Sequence, residues 1–89
     1  MNIELVISNL VDAAEKAIAL DKPMKDAGYD DNPYFAIYGH IVDALYHLIG
    51  EKTNMFDDSI TCCILNNSDL DHNSRVQIFL TAYKAKNPS

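Results

Sequence analysis

Arginine is nearly missing from this chain. Arg75 is the only one in 89 residues, and the six lysines are scattered. Binding to nucleic-acid phosphates needs clustered basic residues to displace counterions. The formal net charge is -6, with 13 Asp+Glu against 7 Lys+Arg. That balance excludes direct nucleic-acid binding. Glycine is scarce as well, with 3 residues, too few for a Gly-rich phosphate loop alongside the rest of a fold. No serine sits in a nucleophile elbow.

Cysteine is limited to Cys62 and Cys63, which are neighbours. Adjacent cysteines join only through a strained ring, so they make no disulfide framework. Reduced thiols and a cytoplasmic address are the expectation. The start, Met1-Asn2-Ile3-Glu4, has neither the basic residues nor the long apolar stretch of a signal peptide. No apolar run approaches the roughly 20 residues that span a bilayer, so no membrane association is expected.

What remains is an ordinary globular composition, 48% apolar and 22% charged. The length suits one domain, with residues 1–86 as a single helical unit and 87–89 as a frayed tail. Four helices follow from periodicity and caps. The first runs from Asn2 to Leu20. Ile3, Val6, Ile7, Leu10, Ala14, Ala17 and Ile18 share its apolar arc, and Leu5 projects among polar residues. Asp21 to Asp31 reads as a connection punctuated by Pro23 and Gly28.

Asn32-Pro33 is a strong helix start. The second helix runs to Ile49, with Gly50 as its stop. Its broad apolar arc marks it as central. A short third helix covers Ser59 to Leu65, capped from the Asp57-Asp58-Ser59 run, with Ile60, Cys63 and Ile64 facing inward and Cys62 outward. A strand competes over residues 60–65 on β-branched content but has no partner. The fourth helix starts at a cap from Asn73 or Ser74 and ends near Ala85. Val76, Phe79, Leu80 and Tyr83 form its stripe, and Ile78 lies opposite. The expected fold is all-α, a small bundle of three longer helices plus one short helix.

Several groupings could carry chemistry. His40, Asp43 and His47 lie at i, i+3 and i+7 on one side of the second helix, a ligand set suited to a divalent transition metal. The two histidines are about 10 Å apart along the axis, so an ion must sit between them near Asp43. The solvated face of a helix explains the same spacing without an ion. Asp69-Leu70-Asp71-His72-Asn73 opens like a calcium loop. It then fails, because Ser74 stands where a Gly is needed and Leu80 where a Glu is needed. Turn and cap chemistry accounts for it better. No cofactor is expected, and no catalytic motif is present.

The aromatic side chains Tyr29, Tyr34, Phe35, Tyr38 and Tyr46 gather in and before the second helix. One helix does not bury them all in one direction. With Leu5 and Ile78 they leave apolar surface that self-association would cover. Leu5, Phe35, Tyr38, Tyr46 and Ile78 are therefore the interface candidates.

Acids concentrate in the middle of the chain. Asp26, Asp30, Asp31, Asp43, Glu51, Asp57, Asp58, Asp69 and Asp71 oppose Lys52 alone, nine against one, or -8. An acidic inhibitor that fills the basic site of a nucleic-acid-binding protein would use such a stretch. The preferred expectation is a non-enzymatic cytoplasmic regulator or accessory factor, of the kind phages and mobile elements carry. It would act by binding a protein partner or by forming a homodimer. No motif in the chain assigns it to a family.

Overall fold

The computed structural model describes residues 2–50 and 60–87. These form four helices in the order α1 (Ile3–Asp26), α2 (Pro33–Ile49), α3 (Ile60–Asn66) and α4 (His72–Lys86). No strand occurs among the described residues, and residues 60–65 are helical. The all-α bundle of three longer helices and one short one is the observed architecture.

α1 begins where Asn2 accepts the Leu5 backbone N–H at 3.1 Å. It does not stop at Leu20. It continues through Pro23 to Asp26. A proline inside a helix removes one hydrogen bond and crowds the preceding turn, at about 3 kcal/mol. Here the following turn is anchored independently. Lys25 pairs with Asp21 at 3.1 Å, one turn back. The end is closed by a Schellman motif, in which Tyr29 N–H donates to Met24 C=O and Gly28 N–H to Lys25 C=O. Gly28 takes φ +94°, which a side chain would resist. What reads as an eleven-residue connection is thus half helix.

α2 matches its expected limits. Asn32 Oδ1 accepts from the N–H groups of Tyr34 and Phe35, both at 3.0 Å. Gly50 closes the helix in the left-handed region at φ +71°. α4 is capped by Asp71, whose Oδ1 accepts from Ser74 N–H at 2.8 Å. The start therefore falls earlier than the Asn73 or Ser74 cap read from the sequence, and both of those residues lie inside the helix. The capping residues expected for α3 lie outside the described residues.

One core joins the helices. Ile7, Val11 and Ala14 of α1 meet Val42 and Leu45 of α2, Leu65 of α3 and Phe79 of α4. α1 packs most extensively on α2, then on α4. In α3 the inward side is shifted by one residue from the sequence reading. Thr61, Cys62, Ile64 and Leu65 are buried, while Ile60 and Cys63 are exposed. A seven-residue helix has two turns, and its tertiary contacts outweigh the apparent periodicity. Val6, placed on the core arc, is also exposed, and Val11 takes the buried position.

Candidate functional site

Two regions organise the polar and apolar chemistry of the surface. The first is a polar centre where α1 meets the start of α4. His72 Nδ1 lies 2.8 Å from Glu15 Oε1, and His72 Nε2 lies 3.1 Å from Ser8 Oγ. A carboxylate only accepts, so Nδ1 carries the hydrogen and donates to Glu15. The other ring nitrogen, Nε2, shares a hydrogen bond with the Ser8 hydroxyl. The other Glu15 oxygen accepts from Arg75 Nη1. Arg75 also donates through Nε to Ile64 C=O at 3.1 Å and through Nη2 to Asn67 C=O at 2.8 Å.

The connectivity of hydroxyl, imidazole and carboxylate is that of an activated nucleophile. The surroundings differ from those of an acyl-transfer site. Ser8 lies inside α1, where backbone N–H groups are consumed by the helix and none is left to hold an oxyanion. The three donor atoms of Asp12, Glu15 and His72 lie within 4.8 Å of one another, the one such trio among the described residues. Arg75 already holds the Glu15 carboxylate and supplies the positive charge a cation would bring. The arrangement is a clasp that fixes the start of α4, and the α3–α4 turn, onto α1. The sequence gives little sign of it, since Ser8 and Glu15 lie 64 and 57 residues from His72.

The helix-face set read from the sequence is only partly assembled. His47 Nε2 lies 3.5 Å from Asp43 Oδ1. His40 is exposed and does not join them in a ligating trio. The Asp69–Asn73 run serves local structure. Asn67 Oδ1 accepts from Asp69 N–H at 2.9 Å, and Asp71 caps α4. Other acids are also engaged locally, Asp26 with Lys22 at 3.5 Å and Asp43 with His47. This local use removes part of the support for an acidic docking face.

The second region is apolar. Of the interface candidates, Leu5, Phe35 and Ile78 are exposed. Tyr38 and Tyr46 are partly buried, and Tyr38 packs on the core and accepts from Asn66 Nδ2 at 2.9 Å. Phe35 lies under the Lys25 ammonium, 4.7 Å from the ring centre, a cation–π contact that covers part of it. The five candidates are spread over three helices and several directions.

A second set of apolar positions follows a regular spacing. On α1, Ile3, Val6, Leu10, Ala13, Ala17, Leu20 and Met24 repeat at alternating spacings of three and four. Tyr34, Ile37, Ile41, Ala44 and Leu48 do the same on α2. Such spacing lines one seam along a helix. Much of each seam is the α1–α2 contact itself. Its outer margin is not covered by the described residues. Leu20 is 49% exposed, Ile37 47% and Val6 38%, with Ala13 and Ala44 half-buried between them. α3 and α4 lie on the other side of the hairpin, where Asn66 meets Tyr38 and His72 meets Ser8. The seam spacing is the signal that could have found this face.

No family model, curated protein or solved structure matches the chain. No described helix is long and apolar enough to cross a membrane.

Proposed function

We propose that this protein works by protein–protein contact, as a small regulatory or accessory factor without catalysis of its own, and that the open side of the α1–α2 hairpin is its contact surface. One observation carries the reading. Val6 and Leu20 on α1 and Ile37 on α2 are exposed at seam positions of the two helices, and apolar surface gathered on one side of a small protein marks an interaction site. Scattered exposed apolar residues would carry no such meaning. The polar centre at His72 supports the same reading from the other direction, because its groups are used up in holding helices together. Cys62 and Cys63 are thiols rather than a disulfide, which suits a reducing compartment such as the cytoplasm.

Chemical cross-linking in native extract tests this, with wild type compared to Ile37→Glu. The expected result is a cross-linked species that the charged side chain removes. Identical cross-linking of the two proteins would sink the assignment of this face.

A further inference from the structure

The polar centre at His72 has a further use that does not depend on the contact face. We propose that Asp12, Glu15 and His72 bind one divalent transition ion of the zinc class, which takes the place of the hydrogen between His72 and Glu15 and ties α4 to α1.

The first ground is the placement of the donors. One ligand atom from each of the three residues lies within 4.8 Å of the other two. Ligands of a four-coordinate zinc stand about 3.4 Å apart. His72 Nδ1 and Glu15 Oε1, at 2.8 Å, need only part slightly, and a side-chain rotation closes Asp12 onto them. Asp12 and Glu15 lie at i and i+3 of α1, with Ser8 one turn before Asp12, so one helix face meets the ring. An imidazole with two carboxylates suits a transition ion better than magnesium or calcium, which take oxygen ligands. The His72 and Glu15 side chains are 36% and 22% exposed, so an ion and a water as fourth ligand reach them without unfolding.

The second ground is the set of outer contacts. In metal sites each ligand is oriented by a partner at its other polar atom. All three residues have such a partner here. His72 Nε2 shares a hydrogen bond with Ser8 Oγ at 3.1 Å. Glu15 Oε2 accepts from Arg75 Nη1, and Asp12 Oδ2 accepts from Lys16 Nζ at 2.8 Å. His72 Nδ1, Glu15 Oε1 and Asp12 Oδ1 are left for the ion. On binding, the ring hydrogen leaves Nδ1 and returns at Nε2 through water, where Ser8 Oγ accepts it. The ring stays neutral and no proton is lost. Arg75 and Lys16 offset the two carboxylates from outside, so the clasp also closes without an ion. The α2 face lacks this arrangement, since His47 is paired with Asp43 and His40 joins no ligating trio among the described residues.

Calorimetric titration of the purified, chelator-treated full chain with zinc chloride tests the proposal. The expected result is one ion per chain and a thermal midpoint that rises with zinc but not with magnesium chloride. Asp12→Asn keeps an acceptor for Lys16, and His72→Gln keeps a donor for Glu15. Each should weaken zinc binding more than tenfold, with far-UV circular dichroism unchanged in the absence of zinc. Ser8→Ala removes an outer partner and should weaken it about tenfold. Cys63→Ser and the double variant His40→Gln/His47→Gln should leave it unchanged. Asp12 is exposed, so Asp12→Asn decides the matter even if His72→Gln disturbs the fold. Absence of zinc binding would overturn the proposal. So would equal affinity in Asp12→Asn and wild type, or a loss of binding in Cys63→Ser or in the His40→Gln/His47→Gln variant.

Discussion

Asn32 Nδ2 donates to Asp21 Oδ1 across the α1–α2 corner at 2.6 Å, and the same amide caps α2 through its oxygen. Both residues are buried, at 5% and 8% exposure. Asn32 also donates to Tyr29 C=O at 2.9 Å. Four hydrogen bonds from one side chain thus fix where α1 ends, how the chain turns and where α2 begins. The hydrogen bond from Asn32, with the Lys25 ammonium beside it, holds the Asp21 carboxyl below its usual range.

Replacing Asn32 should therefore cost more than a surface cap. Asn32→Ala is expected to lose about 2 kcal/mol in urea unfolding, since a cap disappears and buried partners are stranded. Asn32→Asp keeps a capping oxygen but sets a second carboxylate against Asp21. Its deficit at neutral pH should shrink as the pH falls through the carboxyl range and one of the pair takes up a proton. A deficit independent of pH would show that the two groups do not meet.

Core and surface on α4 should separate sharply at adjacent positions. Phe79 is fully buried, and Phe79→Ala should cost about 3–5 kcal/mol. Ile78 next to it points outward, and Ile78→Ala should stay within about 0.5 kcal/mol. Denaturant midpoints of the two variants check the facing of the helix. Comparable losses at both positions would rotate it.

Acid should destabilise the fold through three aspartates. Asp12 is held low by its hydrogen bond from Lys16, Asp21 by Asn32, and Asp71 by the Ser74 N–H it caps. A carboxyl with a lowered folded pKa adds stability above its unfolded value, near 3.9. That stability fades as the pH falls through the folded value. Urea midpoints should be flat from pH 7 to about 5 and decline below about 4. Asp71→Asn keeps an acceptor at the cap and should flatten part of that decline.

The two thiols should react at different rates. Cys63 is exposed and Cys62 is buried. A maleimide added to the native protein should label one site per chain, at Cys63, and both sites only in denaturant. Labelling of Cys62 first would restore the facing read from the sequence.

The long helices were legible because their signals are local. Asn32-Pro33 and Gly50 bound α2 unaided, and the Val76-Phe79-Leu80 stripe identified the buried side of α4. The reading failed where distant residues decide. The extension of α1 past Pro23 depends on Lys25, Asp21 and the Gly28 turn acting together. In α3 two turns are too few for periodicity, and docking chose Cys62 over Cys63. The His72 centre joins residues that no spacing rule connects. The open α1–α2 face was hidden for a different reason. Its residues share an arc with the core, and only packing shows which edge of that arc is covered.

Arg75 adds a polar hold on α3 to the apolar one that Cys62, Ile64 and Leu65 make in the core. A helix of that length does not persist by itself in water. Its terminal carbonyl at Ile64, and that of Asn67 beyond it, are received by a guanidinium whose remaining contact is Glu15 of α1. A change in the length of α3 therefore acts on α1 as well, because it moves carbonyls that share one guanidinium with Glu15. Arg75, the single arginine of the chain, is the point where the two helices are tied.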